Sequence, residues 1–155
     1  MDKAKILKLV LAKLEEELRL QLKGQKSAAE GATHTEAKAE TKWDTCGLEQ
    51  SYLARGLARQ FEALAKQVEE LRTFNPPDYF GKEIGVGALI ETKVGGEQMF
   101  FFLLECGGGR DVEFEGREIV VVTPQAPVGT ALMGKRSGDS YSFRPESVGT
   151  IVSVI

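Results

Sequence analysis

With 155 residues and a formal charge of −3, the chain has room for one domain or two small ones, and its charge argues against a protein held on nucleic acid by a globally basic surface. Its cysteines, Cys46 and Cys106, lie far apart and make no C-x-x-C or cysteine–histidine metal pattern, which fits a reduced cytosolic setting and leaves reactivity of Cys46 as a minor alternative. The first residues lack the continuous apolar core of a signal peptide and no apolar run approaches ~18 residues, so a soluble cytoplasmic protein without membrane contact is expected.

From about Asp2 to Ala29 the spacing predicts a helix. Leu7, Leu11, Leu14, Leu18 and then Gln21 or Leu22 recur at alternating steps of about four and three, the seam of a helix pressed on one partner. Lysines and glutamates such as Lys5, Lys8, Lys13 and Glu15 to Glu17 share the outer faces, and Gly24 is expected to weaken the last turns. Residues 30 to 45 are polar and small, a bend carrying Glu36, Glu40, Trp43 and Asp44. His34, the single histidine, reads as an exposed loop residue, so no histidine-based metal set or Ser-His-Asp triad can be assembled within the chain. A second helix is expected from about Thr45 to Thr73, with Leu53, Leu57, Phe61, Leu64, Val68 and Leu71 on its seam. Asn75-Pro76-Pro77 stops it, because proline lacks the amide proton and clashes with the preceding turn. Two arms of some 27 residues, at ~1.5 Å per residue, would reach roughly 40 Å. Such a finger is expected to touch something at its tip.

Beyond residue 80 the period becomes that of strands. Val86 to Val94 and Gln98 to Cys106 flank Gly95-Gly96 and predict a hairpin; Ile119 to Val122 predicts a third strand. Pro124 to Met133 reads as a short helix, and Tyr141 to Phe143 and Val148 to Val154 as closing strands. The expected class is α+β, with an antiparallel helical coiled-coil hairpin over 1–75 and an antiparallel sheet with one short helix over 76–155. The run Phe100-Phe101-Phe102 reads as core, alternate rings filling the sheet and the rest burying at the domain contact, rather than as a stacking platform.

The segment from Val120 to Asp139, with Pro124, Ala131, Leu132, Gly134, Lys135, Gly138 and Asp139, resembles the signature of the FKBP-like C-terminal domain of bacterial Gre transcript-cleavage factors. With the two-helix arm before it, the resemblance spans nearly the whole chain. It implies a factor that binds RNA polymerase, inserts its coiled-coil tip into the secondary channel and stimulates cleavage of backtracked RNA near the 3′ end. It also implies that the globular domain grips the channel rim. The factor would have no cofactor of its own and would not itself be an enzyme. Tip acids would help the polymerase hold a Mg²⁺ ion, a hard cation that prefers carboxylate oxygen.

The tip departs from the family pattern of Asp, two residues, Glu-Asn, two residues and Tyr. With Trp43 at the Tyr position, Glu40 takes the Glu, Thr41 the Asn, and Ala37 the Asp. This register also aligns Gln50-Ser51-Tyr52 with a comparable downstream stretch. Glu40 is then the expected metal-directed acid. Glu36 and Asp44, each four residues away, would share its stripe on a helix. Trp43 either staples the bend or meets the partner. Arg55 and Arg59, four apart, form either an ordinary charged helix face or a cationic pair for channel walls or the RNA end, and Gly56 between them suggests a close helix crossing, a contact with a neighbour or tolerated slack. Two other readings stay open: a non-cleaving secondary-channel regulator, motivated by Ala37, and an FKBP-like isomerase or chaperone. The oligomeric state is open too.

Overall fold

The computed structural model describes residues 1–32, 46–145 and 147–155, with backbone alone considered at 28–32, 46–51 and 147. Glu36, Glu40, Trp43, Asp44 and His34 lie outside the described residues.

The element order is helix α1 (Lys3–Ala32), helix α2 (Cys46–Thr73), strands β1 (Leu89–Val94), β2 (Glu97–Leu103), β3 (Asp111–Phe114) and β4 (Arg117–Val122), helix α3 (Pro127–Leu132), then strands β5 (Ser140–Arg144) and β6 (Ser147–Val154). This is the expected α+β class. The chain divides into two compact units, Met1–Leu11 with Leu71–Ile155, and Ala12–Glu70.

The unit Ala12–Glu70 contains most of both long helices. Leu14, Leu64 and Val68 are buried, and the Gln25 side-chain amide donates to the Leu57 carbonyl at 3.0 Å, tying α1 to α2. Of the alternatives at the seam, Gln21 is half-buried and Leu22 is 44% exposed. Leu53, expected in the second seam, is instead 63% exposed. Correct spacing puts a side chain on a face, but only a facing partner buries it. Gly24 does not end α1, which continues to Ala32; the cost of one interior glycine, roughly 1 kcal/mol, is small enough for a long helix to carry.

In the other unit the strand order is β3-β4-β2-β1-β6-β5. The β1–β2 hairpin turns on Gly95 and Gly96, whose φ angles of 58° and 95° give the left-handed pair that a tight two-residue turn needs. One pairing corrects the antiparallel expectation: β2 and β4 are parallel, with Phe100 to Leu103 opposite Ile119 to Val122. The reason is β3, which the sequence reading passed over. The chain leaves β2, skips one position in the sheet and runs back as β3. It then turns at Glu115-Gly116 (φ 54° and 73°) and fills the gap with β4. The two strands expected over 86–94 and 98–106 are shorter, ending at Val94 and Leu103, so Cys106 lies in the connection to β3.

All three rings of the phenylalanine run are buried, at 6, 3 and 0% exposure. Alternation sends Phe101 and Leu103 to the face that packs with Leu132 of α3, Tyr141 and Ile151, and sends Phe100 and Phe102 to the other face with Ile119 and Val121. The same unit includes the first turns of α1 and the last turn of α2, where Ile6, Leu7, Val10 and Leu71 are also buried. Asp2 opens α1 by accepting the Lys5 amide at 3.2 Å, a bond that holds its carboxyl below the usual carboxylate range. The Lys3 ammonium donates to the Pro77 carbonyl and sits 5.5 Å from the centre of the Tyr79 ring. Burial pulls the Lys3 amine below the ordinary lysine value, with Asp78 acting the other way.

Candidate functional site

Arg55 and Arg59 lie on α2 with exposed side chains, on the turn-to-turn spacing that places them on one face. Leu57, Phe61, Leu64 and Val68, the seam positions, fall on the opposite side of the helix. One turn before Arg55 stands Tyr52, 66% exposed, and between the arginines is Gly56, where an added Cβ would meet nothing within 4 Å. Among the described residues, then, no close helix crossing accounts for Gly56, and a contact with a neighbour or tolerated slack stays open.

Two cations that the sequence reading missed belong to the same region. Lys23 and Lys26 are exposed on α1, and the bond from Gln25 to the Leu57 carbonyl sets them at the level of Arg55 and Arg59. No aspartate or glutamate occurs over residues 18–29 or 50–61, whereas Glu15, Glu16, Glu17, Glu62, Glu69 and Glu70 crowd the other end of this unit. Over 18–32 and 46–61 five cations, Arg19, Lys23, Lys26, Arg55 and Arg59, thus stand against two carboxylates, Glu30 and Glu49. That signal was available in the sequence, but only as a difference between helix halves that cancels in the net charge. Arg19, nearest the acidic end, is engaged by Glu16 through two bonds of 2.8 and 2.7 Å; these raise the guanidinium's pKa and lower that of the carboxyl.

A surface of this kind, with exposed Leu20, Leu22, Tyr52 and Leu53 among cations, suits an anionic partner that also presents apolar or planar groups. Among the described residues, no three His, Cys, Asp or Glu side chains come together as a metal site. Trp43 and the acids Glu36, Glu40 and Asp44 lie beyond the described ends of the two helices.

A second surface lies on the sheet unit, in an open groove of about 500 Å³ between α3 and the edge strand β5. Pro127, Thr130 and Ala131 form one wall, and Ser142, Phe143 and Arg144 the other. Pro127, not Pro124, is the first residue of α3, where its missing amide proton costs no helical bond, and Thr130 Oγ1 donates to the Pro124 carbonyl at 2.9 Å. Leu132 is fully buried on the sheet, and Gly134 and Gly138 take φ angles of 73° and 93° for the return to β5. Asp139 then accepts the Arg136 amide at 2.8 Å. Gly129 is forced by a close approach, since a Cβ there would stand 1.9 Å from the Thr123 carbonyl oxygen.

No protein-family model matches the chain, and no curated protein does. Solved structures similar to it include GreA factor homolog 1 (Gfh1) of Thermus thermophilus, at 18% identity over 94% of both chains with a TM-score of 0.38. A second structure of the transcription factor Gfh1 gives 18% identity over 95% of this chain and 94% of that one, with a TM-score of 0.38. Gfh1 of Thermus aquaticus gives 17% identity over 95 and 94% of the two chains, again with a TM-score of 0.38.

Proposed function

We propose that this chain is a Gre-type transcription elongation factor. It binds RNA polymerase, inserts its helical tip into the secondary channel and stimulates cleavage of backtracked RNA. The observation that carries the reading is the Val120–Asp139 segment, in which Leu132 of the signature anchors α3 on the sheet and Gly134 and Gly138-Asp139 turn the chain back. The excess of cations over carboxylates in these halves of α1 and α2 agrees with it, since a channel that admits RNA is met best by a surface of net positive charge.

In this reading Glu40 supplies the metal-directed carboxylate, supported by Glu36 and Asp44, and Trp43 contacts the polymerase or closes the bend. The Mg²⁺ ion belongs to the polymerase and would stabilise the attacking and leaving oxygens. The groove between α3 and β5 would dock on the rim, its Arg144 facing acidic groups. The factor contributes a ligand and a position, and the polymerase does the chemistry.

The test is to add the purified protein to an elongation complex stalled in a backtracked state and follow shortening of the labelled transcript. Glu40→Ala is expected to keep binding and lose most of the shortening. Ala37, standing where the family has an aspartate, favours a second reading: a non-cleaving regulator that occupies the channel. Binding by the unaltered protein without any shortening would select that reading, and no binding at all would reject both.

A further inference from the structure

Between α2 and β1, residues Asp78 to Lys82 make a tight turn with Phe80 at its corner, 84% exposed and the most exposed large apolar side chain among the described residues. The turn is held from several sides. The Lys82 amide donates to the Tyr79 carbonyl at 3.0 Å, the Phe80 amide to Asp78 Oδ1 at 3.0 Å, and the Lys82 ammonium to the Asp78 carbonyl at 2.9 Å. Tyr79 packs on the sheet core, and its hydroxyl donates to the Val86 carbonyl at 2.8 Å. A ring left in water on a turn so fixed is a ready-made anchor, since little freedom remains to be lost on binding. What suits it is an apolar pocket.

Such a pocket lies on the same unit. Beside the groove described above, a second open groove of about 500 Å³ is lined by Ala131, Met133, Lys135, Tyr141 and Val148, of which Met133 and Val148 are exposed. The chain just beyond the turn borders it: the Ile84 amide donates to the Lys135 carbonyl at 2.8 Å, the Gly134 amide to the Ile84 carbonyl at 3.0 Å, and Arg136 pairs with Glu83 at 2.9 Å.

We propose that two copies of this chain pair through these features, the Phe80 ring of each seated in the groove between Met133 and Val148 of the other. Charge agrees with this seat, because Asp78 stands beside the ring and Lys135 beside the groove, so docking brings a carboxylate to an ammonium. With projection and groove on one unit, a two-fold axis lets both rings engage at once and closes the assembly at a dimer. Two buried rings account for about 300–500 Å² of their own surface. That is well under the ~1,200–2,000 Å² of a stable interface, so the pair is a reversible one with a dissociation constant in the micromolar range. The pairing does not depend on the polymerase reading.

The decisive experiment follows the full-length protein by sedimentation velocity from low micromolar concentration into the hundreds of micromolar. The average mass is expected to rise from one chain toward two. Phe80→Ser should weaken the association at least ~10-fold, as the loss of a central aromatic anchor does, and leave the Tm unchanged because the ring touches little of its own chain. Lys135→Glu, which sets a carboxylate against the second copy's Asp78, should weaken it about twofold or more at low salt. A photoreactive benzoylphenylalanine at position 80, mixed with an isotopically heavy unaltered chain, should label the heavy chain within the peptide from Ala131 to Val148. A single-chain mass at every concentration overturns the pairing. So does an association as tight in either variant as in the unaltered protein, or a label that falls outside that peptide.

Discussion

The sheet unit and the half of the helical pair nearer Ala32 and Cys46 use their apolar residues in opposite ways. In the sheet, Phe100, Phe101, Phe102, Leu103 and Leu104 are consecutive and all buried, because both faces of β2 are covered. In the helices, Leu14 and Leu64 are buried, but Leu20, Leu22, Tyr52 and Leu53 have 44 to 66% of their surface exposed. Where packing claims a side chain, its identity reports on the fold. Where packing releases it, its identity is free to serve a partner, and that is where the exposed cations Lys23, Lys26, Arg55 and Arg59 are found.

The strongest way to break this contrast is Gly129→Ala. A methyl group 1.9 Å from the Thr123 carbonyl oxygen must push α3 off the sheet, and a loss of about 3 kcal/mol or more in chemical denaturation is expected. If the variant keeps its stability, α3 is less tightly seated than described. A sharper comparison lies within α2. Leu64→Ala should cost about 2–5 kcal/mol, whereas Leu53→Ala, on the same seam rhythm but 63% exposed, should stay within about 0.5 kcal/mol. Equal losses at the two positions would mean that the seam closes as far as Leu53. The smallest effect is expected from Glu16→Gln. Its bonds to Arg19 are solvent-exposed, so the chemical-denaturation midpoint should barely move. The sign with pH is definite: Arg19 lowers the Glu16 pKa, so what the pair contributes is present above the ordinary glutamate range and is lost as pH falls through the lowered value.

Much of the architecture was legible before any coordinates. The alternating steps of four and three residues marked α1 and α2, Pro76-Pro77 marked the end of α2, and Gly95-Gly96 marked the first hairpin, since each is a local rule of backbone geometry. β3 was missed, although Val112 alternates with acidic neighbours and Glu115-Gly116 is a turn signal. Four residues are too short a run to stand out beside the stronger pattern of β4. At the candidate surface, Arg55 and Arg59 were legible as a pair. Lys23 and Lys26 were not, because their common level with the arginines depends on the bond between Gln25 and the Leu57 carbonyl, 32 residues apart.

By itself the sequence determined the two long helices, every strand but β3, and the turn that follows α3, because those choices rest on propensity, period and steric rules acting over a few residues. Tertiary structure alone decided that β4 lies parallel to β2, that Leu53 is exposed while Leu64 is buried, and that Gly56 faces open space while Gly129 faces a carbonyl. These are outcomes of contacts between segments distant along the chain, and the residue type is the same whether or not the partner arrives.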